Sequence, residues 1–532
     1  MTNGMIFVSK RTSVVGTSTA ERAVLARSYD CDATWLNDDL AKRTVDLPAF
    51  WIDRSPVTNA EYFAFVEATG TRKPWPRGLF PVEQADHPVV GVSFPEASAY
   101  ARWVGKRLPV AEEWEVAAQP AQPGLYPWGS EWPGPVHLPR RDTTPRWDLP
   151  ATHPVGSGRC GRSATGMEDV AGQVCEWTAT ARTHHGVSFY LLKGASWLHQ
   201  DPVNYRTAAS SWVMGGFYTP LIGFRCALDG EQTPPPVPRR VPPDTSPSSA
   251  PREADIHTLA EDVHEGGIQV YYVPDVSAPY DQYLLSWSRL FIQGNPERSR
   301  GFVLIALAVG PWPVCLFLAE AMRWNDKQLL AGYRANQPPL QERPSAGGDT
   351  MYVMDFEELG VEFEFVQGND SMDLVTMITN KTDEAGTYSA SSCFSLTSHP
   401  DFYDCEMLRT YQLTGQGEFV SLRQIPRLGE CIRWIAPSDV SQYAGAPTCG
   451  AMAVVSRDDQ WCFASVRIEP GGSFDVLGNA WLNCLHTDAP VHVGPRATRT
   501  TRHRLYVIGG GLDGLKRRLA IDANRGDFAS TA

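Results

Sequence analysis

HPVVGVSFPEASAYARWVGKRLPVAEEWEVAA, residues 87–118, carries two helix signatures separated by a glycine-containing break. Pro95 opens the first, which runs to Val104 and stops at Gly105, and Val110 to Ala118 make a second short one. Upstream, TNAEYFAFVEAT (Thr58 to Thr69) is the clearest helix. Thr58 or Asn59 caps it, Tyr62, Phe63, Phe65 and Val66 line one side, and Gly70 ends it. Downstream the pattern changes, because Gly, Pro and Trp punctuate nearly every stretch to Ala227. Only brief strands fit there, such as Gln173 to Thr178 and Gly223 to Ala227. Short helices followed by a long run of turns predict a loop-rich α+β domain.

Beyond it, GEQTPPPVPRRVPPDTSPSSAPRE (Gly230 to Glu253) holds eight prolines and almost nothing suited to a core, which predicts an extended, semi-rigid linker. The linker separates a domain at residues 1–229 from a second at 254–532. In the second, GVEFEF (Gly360 to Phe365), LVTMIT (Leu374 to Thr379) and CFASVRI (Cys462 to Ile468) show alternation or β-branched runs between turn signals. Many short strands of this kind predict a mostly β sandwich domain. The close, Gly511 to Asp522, places Leu512, Leu515 and Leu519 on one face of a terminal helix. A length of 532 residues agrees with at least two domains.

Composition removes several function classes. With 47 Lys and Arg against 60 Asp and Glu, the net charge of −13 disfavours a nucleic-acid partner, which needs clustered positive charge. The longest apolar stretch, Gly301 to Met322, is broken by Pro311, Pro313 and Glu320, so no membrane partner is expected. The first 27 residues lack an apolar core of signal-peptide length, and a cytoplasmic protein is expected. Eleven Cys without a C-x-x-C pair predict reduced, buried thiols rather than a disulfide framework.

Six phrases in order carry a resemblance: PAFWIDRSPVTNAEYFAFVEATG (48–70), the stretch at 87–118, YPWG (126–129), GMEDVAGQVCEWT (166–178), KGASW (193–197) and GFRCA (223–227). Together they resemble the formylglycine-generating enzyme, or sulfatase-modifying factor, family over residues 1–229. The resemblance implies a C-type-lectin-like fold. The family includes copper-dependent oxidases, domains of sulfoxide synthases and members that only bind ligands, so the site must decide among them. The resemblance places the oxidases' copper-binding Cys pair just after KGASW. Residues 198–206 here are Leu198, His199, Gln200, Asp201, Pro202, Val203, Asn204, Tyr205 and Arg206, with His199 about where one Cys would lie. Two thiolates suit a soft copper ion and one imidazole does not replace them, so copper is not expected as the cofactor. The resemblance also implies a calcium site at Asp169, Gly172, Val174 and Glu176, two carboxylates and two backbone carbonyls that suit a hard cation.

Trp197, His199, Tyr205, Arg206 and Trp212 lie near the family's substrate groove, where aromatics beside arginine could stack on a peptide, carbohydrate or other small molecule. In the second domain a polar cluster gathers His399, Asp401, Asp404, Glu406 and Arg409 with His486, Asp488 and His492 from a later loop. The expected function is that of a calcium-stabilised ligand-binding or accessory protein. The alternative is a metal-dependent enzyme of non-heme-iron type, with an unspecified second metal and with His199, His399 and His486 as catalytic candidates. Its site would lie in the N-terminal groove, in the sandwich or at their interface.

Overall fold

The computed structural model describes residues 4–75, 80–132, 152–157, 161–184, 187–230, 232–242, 268–273, 302–307, 314–325, 327–331, 341–344, 350–368, 371–396, 399, 402–404, 406–413, 418–425, 451–468, 475–477, 484–488 and 490–524. Two compact units divide the chain, one containing Met1–Ser249 and the other Ala250–Leu428 and Arg433–Ala532.

In the first unit four helices form where local caps dictate them: α1 (Thr19–Ser28), α2 (Asn59–Thr69), α3 (Phe94–Trp103) and α4 (Ala111–Ala118). The Glu61 carboxylate accepts the Thr58 backbone N–H at 2.7 Å while the Thr58 hydroxyl accepts from the Glu61 amide, and Gly70 ends α2 at φ 68°. Ser93 and Glu96 repeat the arrangement at α3, and Ser18 and Glu21 at α1. Three small sheets complete the unit. Met5–Val8, Phe50–Asp53 and Ala227–Asp229 pair antiparallel, which ties the start of the unit to its end. Arg11–Val15 pairs with Arg43–Leu47. The third sheet runs Ser210–Met214, Val187–Lys193, Cys175–His184 and Ile222–Gly223, the last strand parallel. The brief strand expected at 173–178 is therefore longer and starts later. Trp114 of α4 packs with Phe50, Ile52, Met167, Val170 and Leu191 in a core beneath these sheets.

The proline-rich segment expected as an extended, semi-rigid linker packs on this unit where it begins. Pro234 is buried, Arg239 pairs with Asp86, and the Arg240 amide donates to Ala60 O at 3.0 Å.

The second unit is sheet-rich. A nine-stranded antiparallel sheet has Leu359–Gln367, Ser371–Asn380, Thr498–Gly509, Trp461–Arg467 and Ala451–Val455 as consecutive neighbours, and an eight-stranded sheet is built around Val314–Trp324 and Gly386–Ser395. Phe394 of the eight-stranded sheet lies 6.3 Å, ring to ring, from Phe463 of the nine-stranded one. The terminal helix, α5 (Gly511–Asn524), covers the opposite face of the nine-stranded sheet. Leu515 is fully buried there, with Leu512 and Leu519 packed against the same cluster. Among the described residues no helix is long and apolar enough to cross a membrane.

Candidate functional site

The loop Asp169–Val174 leads into the strand Cys175–His184 and carries the residues expected to hold a hard cation. Asp169 sits in the left-handed region at φ 56°, a conformation that Asp tolerates better than most residues, and its side chain is buried. One oxygen, Oδ2, accepts the Gly156 amide at 2.7 Å. The other, Oδ1, is sealed from solvent with no hydrogen-bond donor. Burial pushes this carboxyl up to about 6, and the nearby Glu168 and Glu176 carboxylates add to the effect. A buried carboxylate oxygen without a donor calls for a proton or a cation.

Glu176 is more committed than its place in the sequence suggests. Arg225 approaches it with Nε at 2.6 Å from Oε2 and Nη2 at 2.7 Å from Oε1, and Trp114 Nε1 donates to Oε2 at 2.7 Å. An ionised carboxylate offers about four lone-pair positions, so roughly one remains for a metal. The donor set still fits calcium: the unsatisfied Asp169 oxygen, the residual capacity of Glu176, and the carbonyls of Gly172 and Val174 as the expected backbone ligands.

Copper does not fit. Residues 198–206 contain no Cys, and of the described thiols of this unit, Cys175 donates to Gly194 O at 3.3 Å. Cys226 is fully buried, and burial raises its pKa far above the ordinary thiol value, the opposite of what a thiolate ligand needs. His199, at the expected position of one Cys, is buried, and its Nδ1 lies 3.0 Å from the Ser196 amide and 2.7 Å from the Ser196 hydroxyl. An N–H directed at Nδ1 assigns the lone pair to that atom and the proton of the neutral ring to Nε2. The nitrogen with the lone pair thus already faces two donors, which leaves His199 poorly placed as a metal ligand.

The expected groove residues face inward. Trp197 is buried with Nε1 on Pro220 O at 3.0 Å, and Tyr205 is buried with its hydroxyl on His199 O at 2.8 Å. Arg206 forms a buried ion pair with Asp39 at 2.8 Å, and Thr17 donates to the same Asp39 oxygen. These polar groups are spent on framework bonds rather than presented to a ligand. Trp212 is partly exposed, with the Arg182 guanidinium 4.3 Å from its ring centre. Asp39 and Trp114 escaped sequence reasoning because their partners, Arg206 and Glu176, lie in different elements. Their only local trace is a polar or aromatic residue inside an apolar context.

In the second unit His399, Asp404 and Glu406 of the polar cluster are drawn into the interior. His399 has no exposed surface and lies 4.8 Å from the Phe402 ring, while Asp404 Oδ2 accepts from the Arg409 amide at 2.7 Å and the Thr410 hydroxyl at 2.9 Å. Glu406 is buried as well. This is the bonding of a structured turn. His492 is exposed on the strand Val491–Val493, opposite Thr387. Asp401 and the side chains of His486 and Asp488 lie outside the described residues. Among the described residues no group of three or more His, Cys, Asp or Glu could hold a metal ion.

Residues 2–230 match the family model described as "Sulfatase-modifying factor enzyme 1-like domain". The chain is 30% identical over 271 residues to the Formylglycine-generating enzyme of Mycobacterium tuberculosis, which spans 35% of this chain and 89% of that protein. It belongs to the sulfatase-modifying factor family. Within that family it is also 32% identical over 226 residues to the Hercynine oxygenase of Mycobacterium tuberculosis, covering 33% of this chain and 52% of that protein. It is 34% identical over 186 residues to the Inactive C-alpha-formylglycine-generating enzyme 2 of Bos taurus, covering 32% and 59%. The chain thus spans a little over half the length of these two relatives. The sulfatase-modifying factor family therefore holds enzymes and an inactive member alike.

Proposed function

We propose that this sulfatase-modifying factor relative is a calcium-stabilised binding or accessory protein for a peptide or carbohydrate, and not a copper oxidase. The observation that carries the reading is the stretch 198–206, where no thiol is available and where His199, Tyr205 and Arg206 are bonded into the framework. The unsatisfied Asp169 oxygen supports calcium as the structural ion. Phe394 and Phe463, meeting between the two large sheets, support a β-sandwich in the second unit, which would add a recognition surface. The similarity to a hercynine oxygenase favours the second reading, a metal-dependent enzyme of non-heme-iron type.

Metal analysis of the purified full chain separates these readings. Calcium alone, near one equivalent, is the expected result. Stoichiometric iron would move the protein to the second reading. Stoichiometric copper, together with conversion of a Cys-containing sulfatase peptide to the aldehyde, would overturn both.

A further inference from the structure

The segment after the last strand of the first unit has a defined seat on that unit. Pro234 is buried there, and Pro235 Cγ lies 3.9 Å from where a Cβ on Gly105 would sit, an ordinary van der Waals contact that places the proline ring over the end of α3. Gly105 follows the end of α3 at φ 71°, a conformation glycine adopts without strain. Further along, the Arg239 guanidinium pairs with Asp86 and the Arg240 amide donates to Ala60 O. Consecutive prolines fix φ near −65° and push each preceding residue toward the extended region, so the segment arrives already ordered as a polyproline II strand. Little entropy is lost when such a strand docks.

The seat is itself braced. The Ala60 and Asn59 amides donate to Ala85 O and His87 O, which fixes the start of α2 against the turn that bears Asp86. Asp86 O in turn accepts the Val155 amide, and the next residue, Gly156, donates to Asp169.

We propose that the first unit carries a docking surface for a proline-rich segment followed by arginine, formed by the end of α3 at Gly105, by Asp86 and by the carbonyl of Ala60. The chain fills this surface in cis with residues 234–240. The acid selects the arginine, the end of α3 gives the proline ring a surface to pack on, and the carbonyl fixes the register. A partner with the same chemistry, a polyproline II peptide ending in a basic residue, would compete for the seat.

Amide hydrogen exchange on the full chain tests this directly. The Arg240 amide should exchange slowly in the parent. R239E should speed exchange across 234–240 by about two- to fivefold, the worth of one exposed ion pair, and D86K combined with R239E should restore it. A full chain carrying P234G, P235G and R239E should bind a labelled synthetic peptide of residues 232–242 saturably, while the parent, whose surface is filled, should not. Free-chain exchange at Arg240 in the parent overturns the proposal. So does a folded triple variant that ignores the peptide. If the triple variant does not fold, the charge-reversal pair decides: failure of D86K to correct R239E overturns the assignment of Asp86.

Discussion

Arg225 closes both carboxylate oxygens of Glu176, at 2.6 and 2.7 Å, and neither side chain has any exposed surface. The guanidinium also donates to the carbonyls of Asp53, Arg54 and Glu168, so one side chain ties the segment at 53–54 to the candidate calcium loop. A buried ion pair of this kind is weak evidence of net stability, but breaking it leaves a charge with no solvent. R225M should therefore cost about 3–5 kcal/mol. E176Q should cost less, because an amide oxygen can still accept from Trp114. Changing both residues to apolar ones should cost less than the sum of the single changes. Denaturant unfolding followed by tryptophan fluorescence measures all three, and strict additivity would show that the two residues do not act as a pair.

Asp169 predicts a metal-dependent stability. In the parent, calcium at 100 times its dissociation constant should stabilise the fold by about 2.7 kcal/mol, read as a rise in melting temperature over the chelated protein. D169A should abolish that rise. Without metal the same substitution should still cost about 1–3 kcal/mol, because it strands the Gly156 amide that donates to Oδ2. An equal calcium-induced rise in D169A would remove Asp169 from the ligand set.

What the sequence disclosed about this fold depended on distance along the chain. Helices α2, α3 and α4 were legible to within a residue because their signals, the cap at Thr58 or Asn59, Pro95, and the closing Gly70 and Gly105, are local. Helix α1 carried the same signal in Ser18 and Glu21 and was not predicted, for want of an apolar stripe to go with the cap. The groove was harder, since Arg206 meets Asp39 from 167 positions away and composition does not say whether an arginine faces solvent or a buried acid. The proline run announced stiffness but not attachment, because its partners Asp86 and Ala60 lie in another part of the sequence.

His87 gives a pH dependence with a defined sign. Burial and the nearby His153 lower its pKa from the ordinary 6.5 to about 4, and its Nδ1 lies 2.9 Å from the Thr152 hydroxyl. The folded state resists a proton that the unfolded chain accepts. The contribution of His87 is therefore complete above pH 6.5 and declines as pH falls from 6.5 to 4, below which it is constant. H87N should flatten the fall in melting temperature between pH 7 and pH 4.5 relative to the parent. Parallel curves for the two proteins would show that His87 titrates normally.

The second unit should owe much of its stability to the docking of α5. Leu515 is fully buried against Ala451, Ala453, Cys462 and Ala464, small side chains that leave room for one leucine and collapse poorly around a void. L515A should cost about 2–5 kcal/mol. At the far end of the helix, the buried Asp522 accepts the Tyr506 hydroxyl at 2.7 Å and Arg518 Nε at 2.9 Å. Y506F should cost about 1–3 kcal/mol, because the remaining donor still serves the buried carboxylate. Hydrogen exchange in the strands Ala451–Val455 and Trp461–Arg467 should rise more in L515A than in Y506F, since the leucine seals the sheet face directly whereas the tyrosine acts on the helix end. The reverse order would mean that the polar lock, and not the apolar seal, holds the helix in place.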